Sequence, residues 1–297
     1  MLDGYQRARL DTLRRTQNPD GGWGYFAGKA SWLEPTFYAL LALYEDREHK
    51  EWQKGWRLLR SWQRPDGAWR PSENVSDAHW STSLAITLHC LTGNFGDGFQ
   101  KGVEWLLSIS GKESGLLVRL TRMVTTPVVD YDPKFSGWPW RPGASAWIEP
   151  TAHTLIALKK AAHRFDRRDL GDRIELAEGL ILSRRCYDGG WNHGNTNALG
   201  VKLPGYPETT ALALLGLQGN PAVAEIGAHE LARGLWQGST SRLSRAWLGL
   251  CLRTYGQPVS AEPDDQPVSR DLLLTALEAL THPAGQHALL KVASGSK

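Results

Sequence analysis

A short phrase ending in tryptophan recurs along this chain of 297 residues, and it constrains the fold more than any other feature. It reads QNPDGGW over residues 17–23 and QRPDGAW over residues 63–69, and a shortened form, YDGGW, occupies residues 187–191. GWPW at residues 137–140 is a fourth, more divergent copy. Repetition at intervals of tens of residues is typical of folds that stack one supersecondary unit.

A second phrase follows each copy of the first. The segments EPTFYALLAL, WSTSLAITL, EPTAHTLIAL and ETTALALLGL align on a shared threonine, at Thr36, Thr82, Thr151 and Thr210. They are apolar nearly all round, which predicts helices that are buried on every side. The segments that precede the tryptophan phrases are amphipathic at helical spacing, which predicts outer helices with one solvated face.

These patterns predict an all-α fold, an (α/α) toroid of five or six helical hairpins whose outer helices shield the inner ones. We expect one domain over residues 1–297, with repeats over residues 5–255. Residues 111–142 form an insertion that we expect to act as a lid. Residues 268–293 are expected to add a helical pair or a cap. The basic side chains of the insertion, candidates for binding an anionic group, are Arg119, Arg122 and Lys134.

The segment KGWRLLRSWQRPDGAW, residues 54–69, resembles the QW repeat of the triterpene cyclases. KGVEWLL from residue 101 matches its first half, and residues 17–23 match its second half. The resemblance is to the prenyltransferase and squalene-oxidase repeat superfamily, which includes squalene-hopene cyclases, class II diterpene cyclases and the β subunits of protein prenyltransferases. It implies a toroid with a central apolar cavity, and it implies that the Gln and Trp of each repeat are structural staples.

Both chemical signatures of that superfamily are missing, since the chain has neither a DxDD motif nor an Asp-x-Cys zinc pair. We therefore expect an enzyme similar to terpenoid cyclases, an isomerase or lyase, whose acid comes from other residues. It would act on an isoprenoid or other apolar ligand by general acid catalysis with aromatic stabilisation of a cation. Two alternatives stay open: a carbohydrate-active barrel enzyme that uses a ring of glutamates, and a toroid that only binds or assembles.

Glutamates stand two residues before three of the aligned threonines, and in a toroid these positions would circle one opening. The predicted acid or orienting groups are Glu34, Glu149 and Glu208. Asp77 and His79 are the next candidates for these roles. Crowded carboxylates in a low-dielectric site raise one another's pKa, which suits a general acid. The side chains predicted to bind the ligand are Trp32, Tyr38, Trp80, Trp147, His153 and Tyr206.

The same residues have an ordinary structural interpretation. A glutamate in the first turn of a helix complements the helix dipole, and Ser31 with Glu34 matches a capping box. We expect no cofactor, with a divalent metal held by nitrogen and oxygen ligands as the alternative. The histidines that such a metal would use are His79, His153 and His193.

Charge and composition further limit the partners and the cellular locations that the sequence allows. The net charge is +3 and no run of five basic residues occurs, which argues against a nucleic-acid partner. Three scattered cysteines without a CxxC motif are typical of a reducing compartment. No apolar stretch approaches 18 residues and no signal-peptide pattern begins the chain, so we expect a cytoplasmic location. The expected partner is a small apolar ligand, an isoprenoid by the resemblance. The sequence leaves open whether the protein contacts a membrane surface and whether it forms oligomers.

Overall fold

The computed structural model of the protein describes residues 3–114, 132–165, 167–260, 262–263 and 265–292. Most of the expected lid therefore lies outside the described residues, and so do Arg119 and Arg122. Lys134, the third basic residue of the insertion, is exposed and pairs with Asp132 at 3.3 Å.

The described residues are mostly helical. In chain order the α-helices are α1 (Gly4–Thr16), α2 (Leu33–Ala42), α3 (Lys50–Ser61), α4 (Thr82–Thr92), α5 (Asp97–Ser108), α6 (Ile148–Ala162), α7 (Arg168–Ser183), α8 (Pro207–Gly216), α9 (Ala222–Glu225), α10 (Ala228–Gly238), α11 (Arg242–Thr254) and α12 (Leu272–Thr281). Short 3-10 turns occupy Tyr44–Asp46, Lys112–Ser114 and His287–Leu290. One antiparallel hairpin joins β1 (Asn197–Ala198) to β2 (Val201–Lys202).

Six of these helices form a closed inner ring. Around the ring α2, α4, α6, α8, α11 and α12 follow one another, and α12 packs back against α2. The outer layer covers this ring, with α3 on α2, α5 on α4, α7 on α6, α10 on both α8 and α11, and α1 on α12. The predicted (α/α) toroid is therefore confirmed, because the apolar segments are the inner helices and the amphipathic ones surround them.

One outer helix is interrupted, and one predicted segment differs from the structure in detail. The interrupted helix is divided into α9 and α10 at Gly227, whose φ of 61° lies in the left-handed region that glycine tolerates. Within residues 268–292 the only α-helix is α12, and a 3-10 turn follows in place of a second helix. Helix α12 completes the inner ring, while the 3-10 turn packs on α11.

One hydrogen-bond pattern recurs in four repeats and explains the register of the two phrases. The backbone N–H of each tryptophan donates to the hydroxyl of its aligned threonine at 2.8–2.9 Å, and each indole N–H donates to a carbonyl of an outer helix at 2.7–2.9 Å. Each indole thus joins the end of an outer helix to the start of an inner helix. The four tryptophans are Trp23, Trp69, Trp138 and Trp191, so the divergent GWPW segment is a structural copy.

The glutamine of each complete phrase links neighbouring repeats. The Gln63 amide donates to the carbonyls of Gly67, at 3.1 Å, and Gly98, at 2.7 Å, which lies in the first turn of the next outer helix. Gln17 makes the equivalent two bonds, and the Arg185 guanidinium takes this place later in the chain. These residues hold the outer helices together, which is the structural role that the resemblance implies.

Gly102 in α5 lies directly against Trp69. A Cβ atom on Gly102 would stand 2.7 Å from the Trp69 ring and 2.6 Å from Ile86 Cδ1. We expect Gly102→Ala to lower the free energy of unfolding by about 1–3 kcal/mol through overpacking, although Gly→Ala inside a helix otherwise stabilises by roughly 1 kcal/mol. Gly234→Ala in α10, where nothing lies within 4 Å of the added Cβ, is the matched control. Urea denaturation measures both, and equal effects would contradict the close contact.

Candidate active site

The N-terminal ends of the inner helices lie on one face of the ring, which we call the mouth. The residue that precedes the helix is aromatic and extended in three cases, Trp32 before α2, Trp147 before α6 and Tyr206 before α8. The first turns of these helices hold the three predicted glutamates, Glu34, Glu149 and Glu208. The sequence repeat therefore does place them at equivalent positions around the mouth.

Glu34 is half-buried and accepts a hydrogen bond from the Tyr25 hydroxyl at 2.6 Å. Burial raises the pKa of Glu34 and the nearby Asp271 raises it further, whereas the Tyr25 hydrogen bond opposes the shift. Asp271 caps α12 and accepts hydrogen bonds from the backbone N–H groups of Leu273 and Leu274, which stabilise its negative charge. The sixth inner helix thus brings an additional carboxylate to the mouth.

Glu149 starts α6 and is also half-buried. Burial raises its pKa to about 8, and the negative charge of Glu34 adds to the shift. A carboxyl group with a pKa of about 8 is largely protonated at neutral pH. We call Glu34 and Glu149 the carboxylate pair.

Four buried rings lie beneath the carboxylate pair and form what we call the aromatic floor: Tyr38, Trp80, His153 and Trp247. The His153 ring stacks on Trp80 with centroids 5.1 Å apart, and its Nε2 lies 3.5 Å from the Tyr38 hydroxyl. The Trp247 ring contacts Tyr38 edge-on at 5.5 Å. Burial lowers the pKa of His153 to about 3, so its imidazole is neutral and carries no charge that would repel a cation.

The aromatic floor closes the centre of the ring. Tyr38 is 0% exposed, Trp80 and His153 are 3% exposed, and Trp247 is 5% exposed. An open chamber of ligand size would leave the side chains that line it in contact with a water-sized sphere, so these four rings fill the space between the inner helices. The central apolar cavity that the resemblance implies is therefore not open at this level.

The remaining predicted residues lie at other points of the mouth. Glu208 accepts a hydrogen bond from the Ser244 hydroxyl in α11. Asp77 is exposed in a surface cleft with Lys112 and Arg141. His79 contacts Ser81, with 3.1 Å between Nδ1 and the hydroxyl oxygen, and burial lowers the pKa of His79 to about 4.

The rim aromatics form a second cluster, around His193. The exposed His193 ring lies 5.8 Å from Trp147 and 5.5 Å from Tyr206. Trp32 belongs to the carboxylate pair's side of the mouth, since its ring is 6.2 Å from that of Tyr25. The predicted residues therefore separate into a central group around Glu34 and Glu149 and a peripheral group around Glu208 and His193.

Four residues of the site are not among the sequence-predicted ones: Tyr25, Asp271, Trp140 and Trp247. Trp140 packs edge-on against Trp80 at 5.3 Å. Asp271 precedes an apolar run and matches an N-cap pattern, which could have identified it. Trp247 could not be aligned, because the fifth inner helix lacks the shared threonine.

No three His, Cys, Asp or Glu side chains of the described residues form a group that could hold a metal ion. The three histidines proposed for that alternative have separate neighbours: Ser81 for His79, the Tyr38 hydroxyl for His153 and the rim aromatics for His193. No helix in this described part of the chain is long and apolar enough to cross a membrane.

The pKa of Glu149 predicts how stability depends on pH. Its folded pKa, about 8, lies above the value of 4.5 for an unperturbed glutamate, so its stabilising contribution is complete below pH 4.5 and is lost as the pH rises through 8. Between pH 6.5 and 8 we expect Glu149→Gln to remove a decline of about 1.4 kcal/mol per pH unit in the free energy of unfolding. Urea denaturation at several pH values measures this, with the exposed Glu225→Gln as control. Parallel curves for wild type and Glu149→Gln would contradict the assignment.

No family model and no curated protein matches this chain. Solved structures do match. A protein from Actinoplanes is 18% identical over 93% of this chain and 96% of its own, with a TM-score of 0.58. A variant of the type II terpene cyclase MstE from Scytonema, in complex with merosterolic acid A, is 17% identical over 93% of this chain and 77% of its own, with a TM-score of 0.56.

The similarity also extends to a different class of enzyme. The endoglucanase Cel10 from Klebsiella pneumoniae, a family 8 glycosyl hydrolase, is 15% identical over 92% of this chain and 98% of its own, with a TM-score of 0.56. What this chain shares with these proteins is the α/α toroid fold. Since one fold supports unrelated reactions, the function has to be argued from the mouth.

Proposed function

We propose that this protein is a general-acid enzyme that acts on an isoprenoid or similar apolar ligand at the mouth of its toroid. The observation that carries the proposal is the carboxylate pair, in which burial and the charge of Glu34 raise the pKa of Glu149 to about 8. Two neighbouring carboxyl groups with different protonation states can divide the roles of proton donor and charge stabiliser.

The surroundings of the carboxylate pair favour a ligand that develops positive charge. Trp32 and Tyr25 flank the pair, and the rings of the aromatic floor lie beneath it. The faces of aromatic rings attract cations, and the attraction is stronger where water is excluded. Proton transfer from Glu149 would thus create a cation where electron-rich ring faces and the negative charge of Glu34 stabilise it.

Exposed apolar side chains on the loops that lead into the inner helices favour an apolar ligand. Phe26, on the loop before α2, is 51% exposed, and Leu199, at the tip of the hairpin before α8, is 90% exposed. Val201 and Tyr206 on the same segment are exposed as well. Exposed apolar side chains on these loops offer an apolar ligand surface to bury at the mouth.

A second candidate, hydrolysis of a glycoside, is favoured by the acid strength of Glu149. A carboxylic acid with a pKa of about 8 is a weak donor towards an alkene carbon and a suitable one towards a glycosidic oxygen. Half-exposed Trp32 and Trp147 would then serve as stacking platforms for sugar rings.

Incubation in deuterated water distinguishes the two candidates. Purified protein is mixed separately with polyprenyl alcohols and diphosphates and with β-1,4-gluco-oligosaccharides, and the products are followed by mass spectrometry. A cyclised or isomerised isoprenoid that carries carbon-bound deuterium supports the first candidate, and shortened oligosaccharides support the second. Absence of turnover in both panels would overturn the enzymatic proposal and leave a toroid that only binds or assembles.

A further inference from the structure

Helix α11 is not followed in the chain by an outer helix of its own among the described residues, although the preceding outer helix α10 packs on it. The outer helix that follows each inner helix in the chain packs on it, as α3 does on α2 and α5 on α4, and α1 covers α12. After α11 the described residues up to 270 contain no helix. The 3-10 turn His287–Leu290 packs on α11. A cleft lies between α11, the loop that follows it and the second half of α12.

Three arginines of α11 line this cleft. Arg242, Arg245 and Arg253 are spaced three and eight residues apart, which places them on one face of the helix. Gly249 lies on the same face, where an added Cβ would stand 2.5 Å from Thr281 of α12. The glycine lets α12 approach closely, so the three guanidinium groups are held along one narrow cleft.

Positive charge is in excess around the cleft. Glu278 is shared by Arg242, at 2.6 Å, and the fully buried Arg9, at 2.8 Å. Glu262 pairs with Arg245 at 2.7 Å. The lining of the cleft thus carries three guanidinium groups and two carboxylates, and His282 of the lining pairs with Asp3 at 2.7 Å.

Arg253 is the group that lacks a counter-ion among the described residues. Its one hydrogen bond is donated to the carbonyl of Val259 at 2.7 Å, and its buried Nε atom has no partner. Burial lowers the pKa of Arg253, and the Arg253 charge contributes to a lowered pKa at nearby His287, whose buried Nδ1 also has no partner. Partly buried charge without a counter-ion is costly, and a bound anion would offset that cost.

We propose that this cleft binds a small oxyanion of the phosphate class, with Arg253 as its principal ligand. A guanidinium group forms paired, charge-assisted hydrogen bonds to phosphate oxygens, and Arg253 has no carboxylate partner among the described residues. The site is separate from the mouth and does not depend on the function proposed there. An arginine in the last turn of a helix also complements the helix dipole without any ligand, so the test has to measure binding itself.

Isothermal titration calorimetry with inorganic phosphate provides that test. We expect wild type to bind and Arg253→Gln to bind at least about tenfold more weakly, as loss of one charge-assisted pair predicts. Arg57→Gln, which removes an exposed arginine of α3, is the matched control and should bind as wild type does. Absence of binding to wild type, or equal binding by Arg253→Gln, would overturn the proposal.

A second variant, expected to bind phosphate more tightly, distinguishes loss of the site from a folding defect in Arg253→Gln. Glu262→Gln removes a carboxylate from the cleft, so phosphate should bind more tightly, and unchanged or weaker binding would count against the site. Titrations with pyrophosphate and phenyl phosphate distinguish a free ion from a phosphate group on a larger molecule. Tighter binding of either compound identifies the phosphate as part of a larger ligand, whereas tighter binding of inorganic phosphate identifies the free ion.

Discussion

Glu149→Gln is expected to lower kcat by about 10²–10⁴-fold on whichever substrate the protein turns over, because general acid catalysis typically contributes that much. Glutamine keeps the size of the side chain and can donate a hydrogen bond, but it cannot release a proton. Loss of rate with an unchanged KM would therefore identify Glu149 as the donor rather than as a binding group.

Two further variants make this result specific. Glu225→Gln, on the exposed surface of α9, should leave kcat unchanged. Glu34→Gln removes the negative charge that adds to the raised pKa of Glu149, so the basic limb of the pH–rate profile should move to lower pH. Full activity of Glu149→Gln would remove the carboxylate pair from the mechanism.

Trp69→Ala is expected to lower the free energy of unfolding by about 3–5 kcal/mol, the usual cost of removing a large buried aromatic side chain. The indole is fully buried and its N–H donates to the carbonyl of Leu59 at 2.9 Å, so the substitution leaves a cavity and removes one of two hydrogen bonds to that carbonyl, which keeps the bond from the Trp62 backbone N–H. Urea denaturation followed by circular dichroism measures the change.

Two controls separate these contributions. Trp69→Phe keeps most of the ring and loses the N–H, so a smaller loss of about 0.5–1.5 kcal/mol is expected, the usual net contribution of one hydrogen bond. Tyr187→Ala removes an aromatic ring that is 65% exposed, and its effect should stay within about 0.5 kcal/mol. A Trp69→Ala protein as stable as the Tyr187→Ala protein would refute the role of the indole as a link between helices.

The fold could be predicted from the sequence because its repeating hydrogen bonds require particular residues at a fixed register. The threonine hydroxyl accepts the backbone N–H that follows the turn, and the indole N–H of the tryptophan donates to the outer helix, so both residues recur in each repeat however long the linker between them. Alignment on four threonines therefore located four inner helices, although the spacing between these helices along the chain is irregular. The threonines are Thr36, Thr82, Thr151 and Thr210. The same alignment placed Glu34 and Glu149 at equivalent positions of the mouth.

The chemistry of the mouth could be predicted only in part, because it depends on contacts between distant segments. Glu208 occupies the same position as Glu34, yet Ser244 from another helix binds it. Asp271 and Trp247 belong to inner helices that lack the repeated phrase, so no alignment brings them to the site. Whether the ring is open depends on how Tyr38, His153 and Trp247 pack across it, and the helical periodicity of each segment carries no information about that.

The closure of the ring between its first and last helices bears on the order in which the protein is made. The backbone N–H of Leu272 donates to the carbonyl of Tyr25 at 2.8 Å, and Arg9 pairs with Glu278, so the ends of the sequence meet in the finished fold. Contacts between residues so far apart in sequence form slowly. During translation, Tyr25 and Glu34 are synthesised early, whereas Asp271 and α12 are synthesised much later. A nascent chain would therefore carry most of the toroid before it acquires the complete electrostatic environment of its acid.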